Sequence, residues 1–361
     1  MSRVSRIMSG KETKIKTPIL VPVGLAILIL LTASVASIYR LQRRNIADEV
    51  QSRLEGVWQL AHVQVEKDAQ LLLGLLDFIA KDEQLQAAWF AQDTDALLGR
   101  GGEIFKDIQV KFPVTYFKFY KTDKICFACV HNQRVCGEHI EQFTLDKAIQ
   151  DKKPAYGIEL SKCGALLVRV VYPWEIDGEI VGYIELAEDM DTITWDLRET
   201  LGVNLIFTIN KSYLNRKSWE EGSLKKGRNS NSNWEQYENF VVSHSTLRSM
   251  PPALDKYMKE LVSCHEEEHL TSMLRLSFGT NSYEAGFVPL VDVGGRDIGD
   301  IIVLTNITRQ LAAIRSLSIG LMAGCILMGI VLFVFFYVFL GRIERRPVSY
   351  THLTLPTTPY V

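Results

Sequence analysis

The sequence predicts an α+β protein with a long N-terminal helix, two tandem antiparallel-sheet modules and an apolar helix at each end. Three observations predict this fold. Two stretches without charge, at 17–39 and 317–340, are 23 and 24 residues long. Apolar residues at helical spacing follow the first stretch, and further along the chain the apolar period changes to two. A length of 361 residues provides for about two domains.

Both uncharged stretches are long enough to cross a membrane, because a spanning helix needs about 20 apolar residues. The first stretch has one alternative interpretation. The letters SVA that end at Ala36 are typical of a signal-peptide cleavage site. Its apolar run exceeds the roughly 7–15 residues of a signal peptide, however. We therefore expect uncleaved transmembrane helices at 17–39 and 317–340.

Basic residues beside the two spans predict their orientation. Eight Lys or Arg residues lie on the terminal sides of the spans, against five on the inner sides. The eight are Arg3, Arg6, Lys11, Lys14, Lys16, Arg342, Arg345 and Arg346, and the five are Arg40, Arg43, Arg44, Arg309 and Arg315. This bias favours cytoplasmic ends. Residues 1–16 and 341–346 are then cytoplasmic, and 40–316 form a domain outside the cytoplasm.

The last residues, 347–361, continue none of these patterns. They read PVSYTHLTLPTTPYV and resemble the translated ends of sequencing adapters. We expect a non-native tail and leave it out of the fold prediction; a short natural tail is the alternative. On the first interpretation the native protein continues into a cytoplasmic output domain.

A helical stripe follows the first span without a loop. Its apolar residues recur every three or four positions and predict a helix over about 41–80, roughly 60 Å long. The stripe consists of Ile46, Val50, Leu54, Val57, Ala61, Val65, Leu72, Leu75 and Ile79. Such a stalk needs a domain to pack on. We also expect contact with a second copy of the chain, which makes a homodimer.

Alternating apolar residues predict strands after Gly102. The segments 114–121 and 124–131 flank a Thr-Asp turn, and 165–174 and 179–189 flank the letters EIDG, so each pair predicts a hairpin. Another strand is expected at 204–210. The segment 211–250 is polar, and helical spacing returns at 253–264.

One hairpin pattern occurs twice, at 172–193 and 288–309. Each copy has a strand that ends with Pro, a polar turn with Gly, a second strand that contains Gly, and an acidic residue or Asn before a helix. The two copies start 116 residues apart. This similarity predicts a duplicated module. Two unrelated hairpins that share common turn residues are the alternative.

A long helix, two such modules and a second span resemble the double Cache sensors, whose modules are PAS-like. Within that group the chain resembles Double Cache family 3 over about 45–310, most specifically over 113–221. The stretches that carry the resemblance are VTYFKFY, GEHIEQFTLDKA, PAYGIEL, LVRVVYPW, DGEIVGYIELAEDM and LGVNLIFTINKSYLNRKSWEEG. The chain departs from the family where Cys129 stands two residues before His131 in place of an expected Arg. A ligand contact by an Arg at this position is therefore not expected here.

The resemblance implies a sensor in a bacterial inner-membrane receptor with two spans and a periplasmic or extracellular domain. It places a distal module at about 81–200 and a proximal module at about 201–310. Signalling of this kind needs a small-molecule ligand and a cytoplasmic histidine kinase, diguanylate cyclase or methyl-accepting domain. The part present is then not an enzyme and needs no cofactor. An adhesion or scaffolding domain outside the cell is a further alternative.

Net charge gives no indication of a nucleic-acid partner. The formal value is −2, and charged residues make up 23% of the chain.

Three cysteines lie close together in the segment CFACVHNQRVC, at 126, 129 and 136. A C-x-x-C pair with a further Cys or His can hold zinc. Residues three apart on a regular strand point to opposite faces, however, so Cys126 and Cys129 cannot share a metal unless the strand is interrupted. Buried thiols, with or without one disulfide, and a disulfide framework that includes Cys163 and Cys264 remain open.

The segment HEEEH at 265–269 matches the H-E-x-x-H pattern of zinc peptidases. There His265 and His269 would bind zinc and Glu266 would activate water. Zinc-binding helices of this type are normally buried among apolar residues, whereas this segment carries two further glutamates. We therefore expect a solvated surface, without a metal or a catalytic residue, and keep a membrane-anchored zinc peptidase as the alternative function.

Ligand contacts are expected in the distal module, since Cache-like modules bind small molecules between the sheet and the loops that cross it. Arg169 and Glu185 lie inside apolar strands, where a charge is costly unless it is paired. They either pair with each other, or Arg169 holds a ligand carboxylate through two hydrogen bonds. The other candidates are side chains with a polar end, namely Tyr116, His131, Trp174 and Tyr183.

Overall fold

The computed structural model describes residues 16–135, 137–225, 234–260 and 274–344. The helices are α1 (Lys16–Ala80), α2 (Glu83–Phe90), α3 (Thr94–Gln109), α4 (Phe143–Asp151), α5 (Met190–Leu201), α6 (Arg216–Lys225), α7 (Pro252–Glu260) and α8 (Thr308–Glu344). The strands are β1 (Val114–Tyr120), β2 (Cys126–Cys129), β3 (Arg134–Val135), β4 (Ala155–Leu160), β5 (Leu166–Ile176), β6 (Glu179–Asp189), β7 (Val203–Asn210), β8 (Phe240–Ser245), β9 (Leu274–Phe278), β10 (Asn281–Val291) and β11 (Asp297–Asn306). Short 3-10 helices form at Val130–Asn132 and Lys211–Tyr213.

The chain divides into two compact units. One consists of Ala47–Thr308 and holds both sheets, and the other contains the described helical residues 16–46 and 309–344. Within the described residues, α1 and α8 are long and apolar enough to cross a membrane by length and composition. The expected spans at 17–39 and 317–340 both lie inside these helices.

Helix α1 continues from the first apolar stretch into the stalk without a break, as the periodicity predicts. The predicted stripe is buried from Ile46 to Ile79 with one exception. Leu75 is half buried, and its neighbour Leu76, which was not predicted, is fully buried instead. The part of the stripe around Val57 packs against the second sheet and against the beginning of β5 in the first sheet. The part around Leu72 packs against the first sheet. One helix therefore supports both modules.

The two sheets are antiparallel and share one strand order. The first has the order β3-β2-β1-β6-β5-β4 and the second β8-β7-β11-β10-β9. When β3 is left out, the two sheets have the same strand order across the sheet. The second strand of the module lies at one edge, the first strand is next to it, and the last three strands follow in reverse order. The repeated sequence pattern coincides with the β5–β6 and β10–β11 hairpins, which lie at equivalent places in the two sheets. These two sheets, with the stalk and the terminal helices, form the predicted α+β fold.

The predicted strands and hairpins are confirmed, with small changes at their ends. The β5–β6 turn is only two residues long, Asp177 and Gly178, with φ of 52° and 85°. This turn type suits the twist of paired strands and favours Asp-Gly. Strand β8 and helix α6 lie in the polar segment 211–250, where no element was predicted. β8 pairs along one side only, with β7, and its buried positions are Val241 and Ser243.

Helix α7 confirms the helix expected at 253–264 as far as Glu260. The HEEEH segment lies outside the described residues, as do Cys136, Cys264 and the tail at 347–361.

Candidate functional site

Period two in β1, β5 and β6 places one set of polar side chains on a single face of the first sheet. Strand β1 contributes Tyr116, Lys118 and Tyr120, and its register sets Lys118 opposite Glu185 of β6. We call this the polar face of the first sheet. Its members are Tyr116, Lys118, Tyr120, Glu159, Arg169, Tyr183 and Glu185. Helix α4 contacts strands β4 and β5, which are the last two strands at one edge of the sheet.

Arg169 is 2% exposed and lies between two buried carboxylates. Its Nη1 is 2.6 Å from Oε1 of Glu185, and its Nε is 3.2 Å from Oε2 of Glu159. Of the two alternatives for Arg169, the pair with Glu185 is therefore formed. Glu159 was not predicted as a second partner. Because both acidic groups are almost inaccessible to water, this pairing offsets the cost of burying the guanidinium.

Tyr120 and Gln142 complete the hydrogen bonds of this cluster. The Tyr120 hydroxyl donates to Oε2 of Glu185 at 2.6 Å. The Gln142 amide, oriented to suit its neighbours, donates to the same carboxylate at 3.1 Å and accepts from Nη1 of Arg169 at 2.9 Å. We call Tyr120, Gln142, Glu159, Arg169 and Glu185 the Arg169 cluster.

Burial and charge act in opposite directions on the cluster's pKa values. Burial, the largest influence, raises the pKa of Glu185, but Arg169, Lys118 and the hydrogen bonds together outweigh it, so the pKa is lowered. The pKa of Tyr120 is raised well above its ordinary value, first by burial and then by the Glu185 charge. Burial lowers the pKa of Arg169, but the two glutamates outweigh it and the net shift is upward. Glu185 and Arg169 are therefore charged, and Tyr120 is a neutral donor.

Half-buried side chains lie beside this cluster on the same face. The rings of Tyr116 and His131 are in edge contact, with centroids 4.8 Å apart, and Nδ1 of His131 is 3.1 Å from the carbonyl oxygen of Phe117. Lys118 Nζ lies 5.8 Å from the centre of the Tyr116 ring. Among the described residues, no carboxylate lies within 4 Å of this ammonium group.

The structure brings five of the six predicted site residues together and separates one. Tyr116, Arg169, Tyr183 and Glu185 share the polar face, and His131 joins them through Tyr116. Trp174 lies on the other face, fully buried, where its Nε1 donates to the Ala80 carbonyl oxygen of α1 at 2.9 Å. It packs there in the core formed with Trp89 and Phe119.

Three residues of the polar face were not predicted, namely Lys118, Tyr120 and Glu159. Lys118 and Glu159 are charges within apolar strands, in the letters YFKFY and YGIEL. This is the same signal that identified Arg169 and Glu185, so it could have identified these two as well. Gln142 lies outside the strands and has no such signal.

The cysteines Cys126 and Cys129 lie on one side of the sheet, because β2 is irregular. Its pairing with β1 shifts register, so that Phe127 is an extra residue between Cys126 and Ala128. The two sulfur atoms are 3.7 Å apart, next to Tyr120 and Tyr183 in a buried cluster. Opposite faces were expected for an uninterrupted strand, and the shift is the interruption. Cys129 forms a disulfide. Cys126 is not its partner, because a separation of 3.7 Å is too long for a bond between two sulfur atoms.

Comparison with known proteins adds the following. Residues 48–311 match the family model dCache_3, the double sensory domain of two-component sensor kinases. The sensor domain of the Vibrio cholerae histidine kinase DctB is 15% identical, with a TM-score of 0.41 over 73% of this chain and 98% of that one. The periplasmic domain of V. cholerae LuxQ is 12% identical, with a TM-score of 0.37 over 72% and 97%.

A third similar structure is the ligand-binding domain of the Campylobacter jejuni chemoreceptor Tlp3 in complex with 4-methylisoleucine. It is 9% identical, with a TM-score of 0.40 over 76% of this chain and 94% of that one. No curated protein shows a significant match. Since the matching family model spans most of the chain, from 48 to 311, this protein belongs to the double Cache family of sensory domains.

Proposed function

We propose that this chain is the sensor region of a transmembrane receptor and binds a small polar molecule on the polar face of the first sheet. The observation that carries the proposal is the Arg169 cluster, with three charged groups buried in a single small sheet. Burying such a cluster gives little net stability, and apolar side chains of similar size would often serve the fold as well. Buried and oriented polar groups are, by contrast, what a pocket for a polar ligand needs.

Lys118 is the group best suited to contact the ligand directly. Arg169 already has two carboxylate partners, so a ligand carboxylate would have to displace one of them. The ammonium group of Lys118 is half exposed and lies beside Tyr116 and His131. A carboxylate placed there would gain a charge-assisted hydrogen bond.

Signalling is proposed to follow from the connection between the second sheet and the second span. Strand β11 ends at Asn306, and α8 begins at Thr308 and continues through the apolar stretch. A ligand shifts such a receptor only by its difference in affinity for two states of the protein. Ligand bound to the first module would therefore favour one arrangement of the sheets, and β11 would carry the change into α8 and across the membrane.

The test is a thermal-unfolding screen of the full chain in detergent against amino acids, amines, carboxylates and metal ions. A ligand at a hundred times its Kd adds about 2.7 kcal/mol of stability. We expect a carboxylate to stabilise the wild type and to lose that effect in Lys118→Met. Lys121→Met is the matched control, since Lys121 lies just beyond β1 and bonds to Gln92.

Two outcomes would contradict the proposal. If no small organic compound stabilises the protein, or if the stabilisation persists in Lys118→Met, the polar face does not bind as described. Stabilisation by zinc alone, lost in His265→Ala, would favour the peptidase alternative.

A further inference from the structure

The start of α4 depends on a residue from β4. The first N–H groups of a helix need an acceptor from outside the helix. Gln142, the residue before α4, makes no capping hydrogen bond with its side chain. Glu159 of β4 supplies the acceptor instead: Oε1 accepts from Phe143 N at 2.8 Å, and Oε2 accepts from the Thr144 hydroxyl at 2.6 Å. Glu159 also pairs with Arg169, so one carboxylate joins the Arg169 cluster to the start of α4.

Phe143 in turn contacts the second module. We call the β10–β11 connection, Asp292–Arg296, the coupling loop. Its Gly294 lies flat against Phe143, since a Cβ there would be 2.7 Å from the ring. The guanidinium carbon of Arg296 stands 4.5 Å from the centre of the same ring, which is a cation–π contact.

The coupling loop also binds directly to β4. The Val293 N–H donates to the Ile158 carbonyl oxygen at 2.8 Å, one residue before Glu159. The Val293 side chain fills the space over Gly157, where an added Cβ would be 2.8 Å from it. Because β4 is an edge strand of the first sheet, the loop covers an edge that would otherwise be open.

A buried carboxylate makes the coupling loop a single rigid piece. The Asp292 side chain is fully buried and accepts hydrogen bonds from the backbone N–H groups of Gly294 and Arg296, each at 3.0 Å. It also accepts from the Arg296 guanidinium, at 2.8 Å from Nε and 2.6 Å from Nη2. A movement of Phe143 under Arg296 would therefore be passed to the whole loop and to the hairpin that carries it.

We infer that the coupling loop detects the state of the Arg169 cluster through Glu159 and Phe143 and passes it to the β10–β11 hairpin. Each step of this route is a direct contact, and the contacts of Phe143 and Ile158 with the coupling loop connect the first module to the second. Strand β11 then leads into α8. As a signalling route it rests on the proposed function, because a ligand on the polar face would be what alters the cluster. The coupling itself is a property of the protein without ligand.

The experiment is hydrogen–deuterium exchange on the full chain in detergent, with no ligand added. Glu159→Gln keeps the side-chain shape but removes the charge that Arg169 and α4 share. We expect exchange in the peptide 288–300, which contains the Val293 amide, to accelerate at least about fivefold, the low end of ordinary coupling between sites. Glu179→Gln is the matched control, because Glu179 is an exposed carboxylate on β6 of the same sheet, and it should leave this peptide unchanged.

Two further variants test the route. In Phe143→Leu the contact with Arg296 is weakened, so adding Glu159→Gln should change peptide 288–300 much less than it does in the wild type. Coupling is reciprocal, so Arg296→Lys, which removes the paired hydrogen bonds to Asp292 and weakens the contact with Phe143, should accelerate exchange over 142–148.

The inference is overturned if Glu159→Gln changes α4 but not 288–300, if the effects of Glu159→Gln and Phe143→Leu simply add, or if Arg296→Lys leaves 142–148 unchanged. Should Glu159→Gln fail to fold, the Arg296→Lys result decides alone. If no compound stabilises the protein but the exchange results are as expected, the ligand site is refuted and the coupling stands. If a compound stabilises the protein but the exchange results are not as expected, the ligand site stands and this route is refuted.

Discussion

Glu188 shows how the setting of one residue decides its charge. It lies on β6 opposite Val114 of β1 and Val168 of β5, so its neighbours across the sheet are apolar. The carboxyl of Glu188 contacts the carboxyl of Asp68 on α1. Asp68 in turn accepts two hydrogen bonds from Gln64. Burial first, and then the Asp68 charge, raise the pKa of Glu188 to about 8. Two carboxyl groups in contact inside a protein share a proton in this way.

The raised pKa of Glu188 predicts a pH-dependent loss of stability. The folded protein holds this proton more tightly than the unfolded chain does. The contribution of Glu188 to the free energy of unfolding is therefore complete below its ordinary pKa of 4.5 and is lost as the pH rises to about 8. The loss is about 1.4 kcal/mol for each pH unit in that window. In Glu188→Gln this slope should be absent, so the variant should gain stability relative to the wild type between pH 6 and 8.5.

Urea unfolding of the full chain at several pH values measures this effect. Asp68→Asn, which removes the other charge of the pair, should flatten the profile in part. Parallel profiles for the wild type and Glu188→Gln would show that Glu188 titrates normally.

The paired hairpins are the elements that define each module, and both depend on a glycine in the second strand. A Cβ on Gly182 of β6 would be 2.7 Å from the Tyr120 carbonyl oxygen of β1. A Cβ on Gly299 of β11 would be 2.0 Å from the Thr208 carbonyl oxygen of β7. In both sheets the glycine lets the first strand approach closely at the same place, which supports the duplication predicted from the repeated sequence pattern.

Gly299→Ala should therefore destabilise the second module severely. The clash is with backbone, which cannot turn aside as a side chain can, so we expect a loss of about 3 kcal/mol or more in the free energy of unfolding. Chemical denaturation of the full chain gives the value. Gly279→Ala is the control: its φ is +61°, nothing lies within 4 Å, and a loss of only about 1 kcal/mol is expected. Equal losses in the two variants would mean that the close approach at Gly299 is not rigid.

At the scale of the whole molecule, the outward side of the stalk is partly apolar. Its exposed apolar residues include Val63 and Phe78, the last of which is 81% exposed, and the two lie about 60° apart around the helix. A soluble surface helix would normally carry polar residues there. This pattern fits the homodimer expected from the sequence, in which a second copy of the stalk covers these side chains.

Cysteine cross-linking of the full chain in membranes tests the homodimer. Cysteines placed singly at exposed positions between 46 and 60, such as Gln51, Glu55 and Gln59, should give a disulfide-linked dimer whose yield peaks at helical spacing. Val57→Cys is the control, because Val57 is fully buried against the chain's own core. If no exposed position exceeds the control, the stalk does not form the interface in this region.

Much of the architecture could be predicted from the sequence because its signals are local. The uncharged stretches, the stalk stripe and the alternating strands each depend on neighbours a few residues apart. Period two even places Arg169 and Trp174 on opposite faces of β5, since they are five residues apart. Strand β8 has a weaker pattern because one of its two buried positions, Ser243, is polar.

Contacts between distant segments were decided only by the tertiary structure. The sequence identified Arg169 and Glu185 as buried charges, but only the sheet order brings Glu159 of β4 next to Arg169. Likewise, only the shifted register of β2 sets Cys126 beside Cys129, and only the packing of the modules places Arg296 over Phe143. The sequence by itself determined the stalk helix, the two uncharged stretches, the hairpins and the family, because periodicity and turn chemistry act within a segment. Which charges meet depends on how separate segments pack, and no short-range pattern records that.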